Sequence, residues 1–212
     1  MPRHSRAVAV GYPHHITQRG NNCEPIFFDD KDRLVYLEAL NHYTQKYKVD
    51  VWAYCLMTNH THLLAVPQTV DGLAKALGLS SLKYTRHVNR KYFRSGRIWQ
   101  GRFYSCIVDA ESHLWAVTRY IVNNPVKARI VSSALDYRWS SIHHHLGSKC
   151  DPLLKSSIWL KPENREAYLQ FLSEDDERLS SLIGKSTISG RPLCEGKALI
   201  CLEKHLGRSF SQ

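Results

Sequence analysis

No two of the six cysteines form a C-x-x-C pair: Cys23, Cys55, Cys106, Cys150, Cys194 and Cys201 are scattered along 212 residues. That spacing disfavours a zinc ribbon, a thioredoxin-type site or a disulfide framework, and reads as reduced thiols serving mostly as packing residues. No apolar run approaches the roughly 18 residues a membrane span needs, and residues 1–10 lack an apolar core of signal-peptide length. A cytoplasmic protein with no membrane partner is the expectation. A phosphate-binding P-loop is missing as well, because Gly184-Lys185-Ser186 would need glycine where Leu179 stands. Internal repeats and low-complexity segments are absent.

Acidic residues are the scarcest in one particular place. None lies between Asp71 and Asp109, while Lys75, Lys83, Arg86, Arg90, Lys91, Arg94, Arg97 and Arg102 fall inside that window. The formal charge of +10 is confined to residues 1–149, with 20 basic and 10 acidic side chains, whereas residues 150–212 carry 9 of each. A one-signed stretch raises a local potential that attracts polyanions. Tyr84, Tyr92, Phe93, Trp99, Phe103 and Tyr104 interleave with these bases. They offer stacking faces for unpaired nucleobases. A solvated basic face over core aromatics is the plainer alternative.

The pattern along the chain predicts an extended segment over residues 7–19, closed by a Gly20-Asn21-Asn22 turn. Asp29 or Asp30 then caps a helix to about Lys48, with Leu34, Leu37, Leu40 and either Tyr43 or Tyr47 recurring at helical spacing. Val49–Leu56 and His60–Val66 read as a hairpin. A helix follows from Thr69 to about Tyr92, with a break at Gly78 and with Lys83, Arg86 and Arg90 on one stripe. A strand through Ile107 and Val108 comes next, and then a helix from Ala110 to Asn124 that Pro125 ends. The order β-α-β-β-α-β plus a helix predicts an α+β protein with a ferredoxin-like antiparallel core. Residues 163–182 and 195–206 read as a small helical C-terminal module, with Tyr168, Leu169, Leu172 and Leu179 inward and residues 174–177 a solvated helix face. The expected division is a domain over 1–146 and an extension over 147–212.

The sharpest local feature is Asn59-His60-Thr61-His62-Leu63-Leu64. Strand side chains alternate, so His60 and His62 share a face and their neutral imidazoles suit one divalent metal; two half-exposed strand histidines are the plainer reading. On the helix after Asp109, Leu114, Val117 and Ile121 form the buried stripe, while His113, Tyr120 and Asn124 line its flank. An Asn124 carboxamide one turn from a phenol would complete a mixed N/O ligand set, which suits Mg²⁺ or Mn²⁺ better than structural zinc. Otherwise Tyr120 is a boundary aromatic and Asn124 a helix C-terminal residue. His143, His144 and His145 read as a surface cluster. His14 and His15 face opposite sides of a strand, so at most one can approach the metal pair.

Several segments in combination resemble the single-tyrosine HUH transposases, and in particular the REP-associated tyrosine transposases. They are His60-Thr61-His62, Gly101-Arg102-Phe103-Tyr104-Ser105, and the run from Arg119 through Tyr120 and Asn124 to Ala128. His15-Ile16-Thr17-Gln18-Arg19-Gly20-Asn21, Tyr137-Arg138-Trp139-Ser140-Ser141 and Gly190-Arg191-Pro192-Leu193 extend the likeness over nearly the whole chain. The resemblance implies a metal-dependent single-strand DNA endonuclease and strand-transferase acting on hairpin-forming palindromic repeats. Tyr120 matches the nucleophile that forms a 5′-phosphotyrosine. His60, His62 and Asn124 match the metal ligands, Asn124 standing where insertion-sequence relatives carry the longer glutamine. A monomer is favoured over a homodimer that exchanges its tyrosine helix. Lys83, Arg86, Arg90, Arg97, Arg102 and Arg19 are the expected DNA contacts, with Arg3 and Arg6 lesser ones. A DNA-hairpin-binding protein that has lost catalysis is the alternative, while a histidine-triad hydrolase is disfavoured because Leu64 stands where a third histidine would be needed.

Overall fold

The computed structural model describes residues 6–109, 113–155, 164–174, 176–194 and 196–210. Strand β1 (His14–Arg19) leads to helix α1 (Asp30–Lys46), then to the hairpin β2 (Val49–Leu56) and β3 (His60–Pro67). Helix α2 (Gly72–Lys91) and strand β4 (Tyr104–Ile107) complete the core. The sheet order is β2-β3-β1-β4 with every neighbouring pair antiparallel, the split β-α-β arrangement of the ferredoxin-like plan. Beyond it come α3 (Leu114–Val122), α4 (Asn124–Lys127), α5 (Ile142–His145), α6 (Arg165–Ser173), α7 (Glu177–Ser189) and α8 (Gly196–Leu206).

The two faces of the sheet receive different layers because side chains alternate along each strand. Gln18 and Thr61 look toward α1 and α2, where Gln18 accepts from the Ser81 hydroxyl. His15, His60 and His62 look the other way, toward α3 and α7. One polar knot ties the first layer. Asp32 is fully buried and accepts from Lys91 Nζ at 2.8 Å and the Tyr92 hydroxyl at 2.8 Å, while closing a reciprocal cap with Asp29. Burial pushes its carboxyl up, but the Lys91 and Tyr92 donors outweigh this and hold it below the ordinary range.

Several sequence expectations are corrected. β1 starts only at His14, since Gly11 at φ +81° and Pro13 interrupt the extended run before it. α2 passes through Gly78 unbroken; that glycine is exposed, with nothing near its absent Cβ. Leu34 points outward at 55% exposure because Asp32, Tyr36, Ala39 and Leu40 take the inner stripe. The tyrosine helix ends at Val122, and Asn124 and Pro125 begin a separate turn, α4; positions 110–112 of the expected helix lie outside the described residues. The helix expected over 163–182 is two. Glu174 is extended and Asp176 caps α7 through Leu179 N–H, so the acids mark a helix junction, Asp175 lying outside the described residues. Tyr168 is buried as expected, but Leu169 is exposed.

Candidate functional site

The site lies where β1 and β3 run side by side beneath α3 and α7. Register pairs Thr17 with His62 and Arg19 with His60, so the basic end of β1 sits beside the histidine strand. The His60 and His62 ring centroids are 4.9 Å apart, close enough for the two imidazoles to converge. His60 Nδ1 lies 2.6 Å from Asn59 Oδ1, and Asn59 is oriented by donating its amide to the Cys23 carbonyl. His62 Nδ1 is engaged at 3.1 Å by His15 Nε2. Hydrogen bonding at Nδ1 leaves Nε2 of both rings as the nitrogen available to a metal.

Tyr120 meets these rings edge-on, 5.5 Å from His62 and 5.4 Å from His15 between centroids. α3 can deliver it because Leu114, Val117 and Ile121 bury as its inner stripe, which turns Tyr120 toward the imidazoles. The phenol oxygen passes over Gly184 of α7, where an added Cβ would lie 3.7 Å from it. Burial raises the phenol pKa; the nearby Arg19 charge opposes that rise and Cys106 adds to it.

Electrostatically the pocket favours neutral imidazoles. His15 is fully buried and lowered to about 3 by desolvation. His60 is lowered to about 4 by desolvation and by Arg19. His62 falls well below its ordinary value through burial first, then through the two neighbouring histidines and Arg19. Neutral rings carry the lone pair a metal requires. Among the described residues no three His, Cys, Asp or Glu side chains form a ligand cluster, and His15 spends its Nε2 on His62. Asn124 donates its side-chain amide to the Tyr120 carbonyl at 2.6 Å, which ties the start of α4 to the tyrosine helix.

The expected DNA contacts separate into two groups. Arg19 and Arg102 line a cleft of about 480 Å³ beside the β1–β4 end, together with Arg6, Arg208, Tyr104 and Gly190. Lys83, Arg86 and Arg90 are exposed on α2, in the layer on the far side of the sheet from Tyr120, and Arg97 is exposed in the loop after it. Of the interleaved aromatics, Tyr84, Trp99 and Phe103 are core residues and Tyr92 is half-buried; Phe93 is 98% exposed and Tyr104 46%. Arg3 lies outside the described residues.

Other histidines resolve differently. His113 precedes α3 by one residue and sits roughly 10 Å along the axis from Tyr120. His145 is buried against the Trp52 carbonyl rather than on the surface, and His143 and His144 bond elsewhere, so the three do not converge. Cys55 and Cys106 are packed inside, while Cys23, Cys150 and Cys201 are exposed, fewer packing thiols than expected. The residues that sequence reasoning missed are Thr187 and Gly184, which approach from α7. Nothing in the sequence marks them, because the contact spans more than sixty positions; His15 was legible only as one of two alternatives.

The family model described as IS200-like transposase matches residues 10–124, which include His15, His60, His62, Tyr120 and Asn124. A putative REP-associated tyrosine transposase of Haemophilus influenzae is 25% identical over 158 residues, covering 66% of this chain and 90% of that protein. A solved structure of a REP-associated tyrosine transposase bound to a REP hairpin superposes with a TM-score of 0.60 at 17% identity, covering 76% of this chain and 93% of that one. That likeness speaks for the fold. Since the family match spans more than half of its length and every element that carries the histidine–tyrosine cluster, the chain belongs to the IS200-like transposases, a family of DNA-processing enzymes.

Proposed function

We propose that this chain is a metal-dependent single-strand DNA endonuclease and strand-transferase that works on hairpin-forming palindromic repeats through a phosphotyrosine at Tyr120. The observation that carries the proposal is the Tyr120 ring lying edge-on to His62 and His15 within one chain, with its hydroxyl in the notch above Gly184. A phenol held beside His62, whose ring is 4.9 Å from that of His60, is the arrangement a tyrosine nucleophile needs next to a metal-binding pair.

His60, His62 and the Asn124 carboxamide would hold Mg²⁺ or Mn²⁺, whose mixed nitrogen and oxygen preferences they fit. The bound ion supplies charge stabilisation at the scissile phosphate. The chain's own groups do the rest. Tyr120 Oη bonds to phosphorus as the P–O3′ bond breaks, the phenol loses its proton, and the departing 3′ oxygen gains one. The products are a 5′-phosphotyrosine and a free 3′-OH. Attack by a 3′-OH on that phosphotyrosine restores Tyr120 and joins the strands, so the phosphodiester bond energy is retained and no nucleotide is hydrolysed. Arg19, beside Tyr120 and at the mouth of the arginine-lined cleft, supports a path for the single-stranded flank into the site. The exposed Lys83, Arg86, Arg90 and Arg97 would contact the hairpin backbone from the other side of the sheet, and Phe93 offers a face for an unpaired base.

Because Tyr120 reaches the histidines of its own chain, the reading favours a monomer. It also makes the 147–212 segment part of the working enzyme, since α7 floors the tyrosine pocket. The test is incubation with hairpin-bearing single-stranded DNA and Mg²⁺ or Mn²⁺, followed by denaturing electrophoresis. A covalent protein–DNA adduct in the native chain, lost in Tyr120→Phe, supports the proposal; an adduct that survives Tyr120→Phe refutes the nucleophile assignment.

A further inference from the structure

The hydrogen bonds behind His62 form a chain whose direction is fixed from one end. Thr187 Oγ1 lies 2.8 Å from the Ile183 carbonyl one turn earlier in α7, and a carbonyl can only accept, so the single hydroxyl proton of Thr187 is committed there. Thr187 Oγ1 is also 2.6 Å from His15 Nδ1. With its proton already used, the hydroxyl accepts from its other neighbours, from the Cys106 thiol at 3.4 Å and from His15, which must carry its proton on Nδ1. A neutral imidazole with Nδ1–H presents a bare Nε2. That Nε2 is 3.1 Å from His62 Nδ1, so His62 in turn carries its proton on Nδ1 and leaves Nε2 with the lone pair. Both His15 and Thr187 are essentially shut off from solvent, at 1% exposure each, so water does not relax the choice. The two rings lie parallel, with centroids 5.3 Å apart.

We infer that Thr187 and His15 are positioning residues which fix the tautomer of His62, so that a hydroxyl from α7 prepares Nε2 of a β3 histidine for a divalent metal. The relay rests on the proposed role of His62 as a ligand, but the proton assignment is independent of it. It also explains how a helix far along the chain takes part in the site. Removing the Thr187 hydroxyl without changing shape would orphan the His15 Nδ1 proton in an apolar wall. Shifting that proton to Nε2 obliges His62 to accept at Nδ1 and to carry hydrogen on the metal-side nitrogen. Outer partners of metal-bound histidines typically change affinity by about 10- to 100-fold.

The experiment uses the full chain with ¹⁵N-labelled histidine, and records which ring nitrogen of His62 is protonated without metal, followed by calorimetric titration with Mn²⁺. The expected result is Nδ1–H in the native chain and in Thr187→Ser, a shift toward Nε2–H in Thr187→Val, and Mn²⁺ binding weakened roughly 10- to 100-fold in Thr187→Val alone. A native His62 protonated at Nε2 overturns the relay, as does a Thr187→Val variant with unchanged tautomer. Native Nδ1–H with no Mn²⁺ binding that depends on His62 leaves the relay standing and defeats the metal reading instead. Circular dichroism matching that of the native chain ensures that the valine variant reports on the bond rather than on unfolding.

Discussion

Acid should unfold this protein well above the pH at which its carboxylates protonate. His14 and His145 are both buried, and each is lowered from 6.5 to about 4, chiefly by desolvation. His14 has no room for a second proton: Nδ1 donates to the Tyr12 carbonyl and Nε2 accepts from Ala9 N–H. Protonation at Nε2 would turn that acceptor into a second donor facing an N–H. The unfolded chain therefore binds protons that the native chain refuses, and stability present above pH 6.5 is lost as pH falls from there toward 4. At pH 5 a histidine with those two pKa values costs about 2 kcal/mol, so the pair costs about 4 kcal/mol, a large share of the roughly 5–15 kcal/mol of a typical domain. His15, lowered to about 3, adds to the effect. The assay is urea unfolding between pH 7.5 and 5. The expected slope near pH 5 is at least about 2 kcal/mol per pH unit, and His145→Gln, which can still donate to the Trp52 carbonyl, should reduce it by about 1 kcal/mol per pH unit. A stability that stays flat across this interval would refute the claim that these rings are held neutral.

Asp32→Asn should lower stability by about 3 kcal/mol in denaturant titration, because it leaves Lys91 and Tyr92 facing a buried amide instead of a carboxylate; a loss below about 1 kcal/mol would count against the knot. Phe93→Ala should weaken binding of hairpin DNA with unpaired loop bases roughly 5- to 150-fold, with stability unchanged, as read by fluorescence anisotropy. Phe93→Gly should in addition stabilise the fold by about 1 kcal/mol, since Phe93 sits at φ +52°. Gly184→Ala should preserve adduct formation, because its Cβ would stand 3.7 Å from the Tyr120 hydroxyl, whereas Gly184→Leu should abolish it by filling the notch; equal activity in both variants would show that the notch is irrelevant.

Much of this could be read from the residue order. The period-2 run that places His60 and His62 on one face, the period-3.6 stripe of Leu114, Val117 and Ile121, and the capping acids at α1 are local features, and local sterics and burial settle them within a few residues. The β-α-β-β-α-β order followed from the same rules, whereas the helix expected to run on to Asn124 stops at Val122. What only tertiary packing decided is which elements meet. The choice of His15 over His14 depended on the β1–β3 register, since a shift of one residue exchanges the faces. The basic stripe of α2 and the tyrosine of α3 look alike as sequence, yet the sheet separates them because both crossover helices, α1 and α2, pack on one face and leave the other to α3 and α7. Thr187 and Gly184 reach the site only because α7 returns to cover α3 and β4. No local pattern encodes that contact; it follows from the need to bury the outer side of a helix that is apolar almost all round.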